Sequence, residues 1–174
     1  LGIGKPLPES DKKIAIIGGG PSGLTAAFYL RNYGYQITIY EKHDKLGGML
    51  RYGIPEYRLP KEVLDREIKT ILDTGVEVKY KVEVGKDVSL KELQETYDAV
   101  FISVGAQKGT EMPIEGMDTL GVLIGVDFLD RIAEGERPDL EEKVIVVGGG
   151  NTAMDVCRSS VRLGAKEVQV LYRR

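Results

Sequence analysis

Glycines, one carboxylate and a terminal pair of arginines are the residues of this chain whose spacing could do chemistry. A short apolar run, Lys13–Ile17, leads into Gly-x-Gly-x-x-Gly at Gly18, Gly20 and Gly23, and a helical pattern follows. That order is a dinucleotide fingerprint: a tight turn, a close backbone approach to pyrophosphate, then close helix–strand packing. The pyrophosphate is expected on the amides of Gly20, Ser22 and Gly23, beside Pro21. A helix N-terminus there stabilises an anion by about 0.3–1 kcal/mol. Glu41 stands 23 residues after Gly18, at the expected end of the second strand. A carboxylate at that point accepts both hydroxyls of an adenosine ribose and repels a 2′-phosphate. The other reading is a glycine-rich turn in an unrelated α/β fold. The strand, helix, strand and acid occurring in order weigh against it.

A second copy occupies Val144–Ala153, with Gly148, Gly150, Asn151 and Thr152 in the loop. It differs in two places. Ala153 replaces the third glycine, and Tyr172-Arg173-Arg174 stand where the acid would be. Two guanidiniums suit a 2′-phosphate through planar, bidentate hydrogen bonds. A charged hydrogen bond is worth about 1.5–3 kcal/mol, so even one favours NADP(H) over NAD(H) by roughly 10- to 100-fold. The competing reading is a solvated basic strand end. The two copies are therefore expected to hold different dinucleotides.

Other reactive side chains are few. Cys157 has no CxxC partner and falls on the apolar side of a predicted helix, as a core thiol would. His43 is the only histidine and has no ligand-spaced partners, which argues against a zinc site and against a Ser-His-Asp triad. No metal ligand and no acid–base catalyst is nominated. A net charge of −3 gives no reason to expect nucleic acid or an anionic membrane. There is no signal-peptide pattern and no apolar run of about 18 residues. One cysteine fits a reducing, cytoplasmic setting. The chain starts at Leu1 and stops just after a predicted strand, so it reads as an excised piece of a longer protein.

The elements that must position these residues follow from periodicity. Strands are expected at Lys13–Ile17 and Gln36–Tyr40, with a helix from Pro21 to about Tyr33 stopped by Gly34. Residues 43–59 read as a long irregular stretch. Pro60 opens a helix with Leu64, Ile68, Ile71 and Leu72 on one face, closed by Gly75. Val76–Val84 has strand alternation with a bend near Lys81, and Ser89 with Glu92 makes a capping box for a short helix. Asp98–Val104, ending at Gly105, suits a buried strand. Val122–Ile124 is a candidate short strand, and Asp127–Ala133 a helix. The second unit reads as strand Lys143–Val147, helix Thr152–Leu163 with Ala153, Val156, Cys157 and Val161 on its apolar face, and strand Glu167–Tyr172. The expected class is α/β with two Rossmann-like units and mostly parallel sheets, the second truncated. Boundaries are a linker at 1–11, a first domain at 12–110 and a second, incomplete at its C-terminus, at 111–174.

Three stretches carry a family resemblance. These are Gly18–Leu24 with Glu41-Lys42, then Leu46–Pro60 (LGGMLRYGIPEYRLP), then Gly148–Asp155 running on to Arg173-Arg174. Together they resemble the small subunit of NADPH-dependent glutamate synthase. They are also similar to the large subunit of NADH-dependent ferredoxin:NADP oxidoreductase and the flavin half of dihydropyrimidine dehydrogenase. The resemblance spans residues 13–174, and Gly-Ile-Pro-x-x-Arg-Leu-Pro is its most specific part. It implies FAD in the 12–110 domain, with the ribose on Glu41, Gly48 and Met49 lining the cofactor, Arg58 in contact and the Val84 backbone bordering the adenine. Lys42, Arg51 and Gly105 complete that candidate set. For Arg51 and Arg58 an ion pair within the loop is the alternative. It implies NADP(H) in the 111–174 domain, its pyrophosphate on Gly150, Asn151, Thr152 and Ala153 and its 2′-phosphate on Arg173 and Arg174. The implied activity is hydride exchange between NADPH and FAD, with electrons passing to iron–sulfur centres in a flanking region or a partner subunit. The alternative is a non-catalytic dinucleotide-binding module. The missing CxxC argues against a thioredoxin-reductase-like enzyme.

Overall fold

Period-two alternation along Lys13–Ile17 (β1) places Ile14 and Ile16 on one face of a sheet and Ala15 and Ile17 on the other, and both faces are buried. A strand covered on both sides reads as a continuous apolar run, which is what the sequence has there. A computed structural model describes residues 7–173. The first six residues of the expected linker and Arg174 lie outside the described residues.

Pro21–Asn32 (α1) follows β1, with Pro21 in the first turn, where a missing N–H costs nothing. Gln36–Glu41 (β2) pairs in parallel with β1, Ile16 opposite Ile39. A single helical turn, Met49–Tyr52 (α2), interrupts the stretch expected to be irregular. Lys61–Leu72 (α3) buries Leu64 and Ile68 as expected. Glu77–Tyr80 (β3) is shorter than the alternation suggested, because Lys81 takes a left-handed conformation (φ 57°) and ends the strand at the expected bend. Leu90–Thr96 (α4) starts with the expected capping box, in which Ser89 and Glu92 exchange hydrogen bonds.

The last strand of this sheet, Ala99–Ile102 (β4), corrects an expectation. It pairs only with β1, giving the all-parallel order β3-β2-β1-β4. As an edge strand it leaves Ile102 59% exposed rather than buried. Helices α1 and α3 supply one core with Ile14, Ile16, Ile37 and Ile39, while α4 supplies the other through Leu93 against Ala15, Ile17 and Tyr40. The described end of the linker is tied down: Leu7 N–H donates to Asn32 O, Ser10 N–H to Gly34 O, and Glu9 pairs with Arg31 at 3.1 Å.

A second unit contains Gly125–Ala133 (α5), Lys143–Val147 (β5), Asn151–Leu163 (α6) and Glu167–Leu171 (β6). Strands β5 and β6 form a two-stranded parallel sheet. The strand expected at Val122–Ile124 is absent: Val122 N–H closes a turn on Thr119 O, and Ile124 caps α5. Helix α6 also departs from the expected face. It buries Ala153, Asp155, Ser159 and Ser160, and leaves Val161 57% exposed. Two small hydroxyl residues are tolerated inside because a helix carbonyl satisfies one of them: Ser160 Oγ donates to Val156 O at 2.9 Å.

The units divide differently from the sequence expectation. The first ends at Gly105, and the second begins at Ala106 and also includes Arg51–Pro60. Those ten residues join it through side-chain contacts with α6 described below.

Candidate functional site

In a parallel sheet all strand C-termini share an edge, and ligands of such folds bind beyond it. Gly18, Glu41 and Gly105 follow or end β1, β2 and β4 at that edge of the first unit. Gly18 has φ 100°, and a Cβ there would fall 2.5 Å from Ser103 O. A Cβ on Gly23 would fall 2.0 Å from Gly18 O, so only glycine lets α1 pack this close to β1. Gly20 caps α1 with no side-chain hydrogen bond, so no side chain satisfies the first amides of the helix. The nearest atom to a Cβ on Gly20 would be Gly48 Cα at 3.7 Å. In the reverse direction a Cβ on Gly48 would press on Gly20 Cα at 2.8 Å. The loop carrying Gly47 and Gly48 thus borders the fingerprint turn, held by Gly47 N–H on Gly19 O at 2.9 Å.

Glu41 is 5% exposed, and both its oxygens are held by the backbone. Gly19 N–H donates to Oε2 at 2.8 Å and His43 N–H to Oε1 at 3.0 Å. Two amides fix the carboxylate in one orientation, and each oxygen keeps a lone pair for a further donor such as a ribose hydroxyl. The motif rule leaves position 19 open, yet a Cβ on Gly19 would collide with Leu46 Cδ2 at 2.1 Å. Gly19 and Ser103 border the candidate site, and the sequence reading named neither. The tripled glycine was the only signal for Gly19. Ser103 Oγ lies 3.0 Å from both Ile17 O and Gly18 O. Lys42 is exposed, Met49 half-buried and Arg51 buried. Val84, past the end of β3, bridges to Val88 and packs with the Ala15–Tyr40 core. Gly105 has φ 73° and open space around it.

The second fingerprint is looser. Gly148 has φ 130°, and a Cβ there would stand 3.5 Å from Ala153 Cβ, ordinary contact. This is why alanine is accepted at the third position. Gly150 caps α6 without a side-chain bond and has nothing within 4 Å of a Cβ position. Asn151 and Thr152 are exposed in the first turn, and Arg173 is exposed just after β6. Burial pushes the Cys157 thiol up, in keeping with a packed rather than a reactive cysteine.

Within this unit Arg58 Nη1 meets Asp155 Oδ2 at 2.6 Å, and the Asp155 side chain is 4% exposed. Tyr57 OH donates to Asp155 O at 3.2 Å, and the Arg162 guanidinium lies 3.9 Å from the Tyr57 ring centre. The resemblance placed Arg58 on a flavin. Its ion-pair partner is Asp155 of α6, outside the loop in which the alternative reading expected an ion pair.

The chain is similar to known proteins over most of its length. The model of the family described as pyridine nucleotide-disulphide oxidoreductase matches residues 12–174. The chain is 46% identical to the NADPH-Fe(3+) oxidoreductase subunit beta of Geobacter sulfurreducens, over 98% of this chain and 26% of that protein. It is 41% identical to the glutamate synthase [NADPH] small chain of Escherichia coli, over 97% of this chain and 38% of the relative. Among solved structures, Mycobacterium tuberculosis FprA in complex with NADPH is 29% identical with a TM-score of 0.76, over 86% of this chain and 36% of FprA. The chain therefore spans well under half the length of these proteins.

Proposed function

The chain belongs to the pyridine nucleotide-disulphide oxidoreductase family, and from that premise we propose that it is the nucleotide-binding part of an NADPH-dependent flavoprotein oxidoreductase. Its first unit holds FAD and its second NADP(H). The observation that carries the reading is a pair of helix N-termini, each uncapped by a side chain and each preceded by a glycine, Gly20 or Gly150, with no atom closer than 3.7 Å to where a Cβ would stand. One is followed by a buried carboxylate and the other by an exposed arginine.

For FAD, the amides of Gly20, Ser22 and Gly23 meet the pyrophosphate, with Pro21 shaping the first turn. Glu41 takes the ribose hydroxyls, and Gly48 and Met49 line the cofactor. For NADP(H), Gly150, Asn151, Thr152 and Ala153 meet the pyrophosphate, and Arg173 with Arg174 reads the 2′-phosphate. When both are bound, the cofactors themselves supply hydride transfer. This chain's residues bind them, orient them and discriminate between phosphorylated and unphosphorylated ribose. Names of relatives that are subunits support an onward electron acceptor in a partner. We place iron–sulfur centres there, and the protein in the cytoplasm.

The test is spectroscopic. The intact protein should show flavin absorbance that bleaches anaerobically on adding NADPH. A colourless protein that takes up no added FAD overturns the reading.

A further inference from the structure

Residues 51–60 are a strap: the chain leaves the first unit after Leu50, joins the second, and returns at Lys61. On α6 the strap makes three directional contacts. Arg58 pairs with the Asp155 carboxylate, Tyr57 OH bonds the Asp155 carbonyl, and Arg162 stacks on the Tyr57 ring. Together they grip the helix from its second turn nearly to its C-terminus at Leu163, which constrains both rotation and axial shift. Asp155 lies one turn beyond the amides of Asn151, Thr152 and Ala153.

The grip is not built for stability. A buried carboxylate is an expensive way to hold a helix, since apolar residues of similar volume hold one as well or better. Here Oδ1 of Asp155 is buried with no hydrogen-bond partner among the described residues, which adds to the cost. Arg58, by contrast, keeps 39% of its side chain exposed. What the arrangement offers is direction, and direction matters most for a helix whose N-terminal amides must meet a ligand to within a fraction of an ångström.

We propose that Arg58 and Asp155, helped by Tyr57 and Arg162, are positioning residues for the second nucleotide, so that Arg58 serves NADP(H) binding rather than FAD. This rests on the assignment of the second fingerprint to NADP(H).

The test uses the intact flavoprotein and two readouts: FAD content per chain, and the Kd for redox-inactive NADP⁺ from flavin difference spectra. Arg58→Ala and Asp155→Asn should each weaken NADP⁺ by about tenfold or more at unchanged FAD content. The double variant should be no weaker than the worse single, the signature of one coupled pair. Arg58→Lys should recover part of the loss. Arg162→Ala, on the surface, should weaken NADP⁺ roughly two- to fivefold without lowering the melting temperature. Loss of FAD from Arg58→Ala with NADP⁺ affinity unchanged would overturn the proposal in favour of a flavin contact. Additive losses, or a lowered melting temperature with unchanged Kd, would also overturn it. If Arg58→Ala does not fold, Arg162→Ala and Tyr57→Phe decide, and wild-type Kd in both sinks the idea. A wild-type protein that binds FAD but no NADP⁺ removes the second-site assignment and the latch together. A wild-type protein that binds both, with an Arg58→Ala variant that binds both equally well, removes the latch alone.

Discussion

At Glu41 the carboxylate is held by the amides of Gly19 and His43 before any ribose arrives. Glu41→Gln replaces one acceptor oxygen with a donor that faces another N–H. Hydrogen bonds to a charged group are worth about 1.5–3 kcal/mol each, so the Kd for FAD, read by titrating the FAD-free protein with flavin, should rise at least tenfold. Gly23→Ala should be as damaging by a steric route. Its Cβ meets a backbone oxygen at 2.0 Å, and backbone cannot swing aside as a side chain can. Overpacking of this kind costs about 1–3 kcal/mol, and the variant should melt lower and lose FAD. At the other site, Arg173→Ala should reduce the NADPH over NADH preference by roughly 10- to 100-fold, measured as the ratio of kcat/KM values. An unchanged ratio would remove the arginine from the 2′-phosphate.

The helices and strands differ in how they are held at their ends. Helices α1 and α6 begin at glycines with no side-chain cap, whereas α4 begins with Ser89 and Glu92 closing each other's bonds. The α4 cap supplies hydrogen bonds that the two glycine-started helices lack. Ser89→Ala should therefore cost about 1 kcal/mol of stability and leave FAD content unchanged. At the start of β1, Asp98 accepts from Lys12 Nζ at 2.7 Å and from the Lys13 amide at 2.8 Å, and these hold its carboxyl below the usual carboxylate range. A depressed folded value stabilises the protein above the unfolded value, and that gain disappears as pH falls through the folded value. Asp98→Asn should lower the melting temperature at neutral pH. The gap to wild type should close as the pH is taken below the carboxylate range. A gap that stays constant with pH would show that the charge is irrelevant.

Across the whole molecule, protection should be uneven. Strands β1 and β2 are each paired on both sides and carry Ile16 and Ile39 at 0% exposure. Among the described residues, strands β5 and β6 pair only with each other, and Ile145, Val147 and Leu171 are 65%, 52% and 62% exposed. In native-state hydrogen exchange the amides of β1 and β2 should be the slowest, with those of β5 and β6 faster by about tenfold or more. Equal protection would mean that the two-stranded sheet is as stable as the four-stranded one. No helix among the described residues is long and apolar enough to cross a membrane.

The sequence by itself determined what is local. Both fingerprints, the acid at Glu41, the α4 capping box and most element spans were legible, because each depends on residues a few positions apart that set one turn or one helix end. The pairing of β1 with β2 followed from the same logic, as one strand–helix–strand unit. Contacts between distant residues were decided only by the tertiary structure. A Cβ on Gly19 would press on the Leu46 side chain, a contact that the spacing rule does not see. The apolar pattern of Asp98–Val104 resembled a central strand, but whether a strand is central or at an edge depends on which neighbours it acquires, and β4 acquired one. Likewise α6 turned an unexpected arc inward where it packs on α5, β5 and β6, and Arg58 found Asp155 across 97 positions. An arginine's spacing says that it seeks an anion, and only the folded chain selects which one.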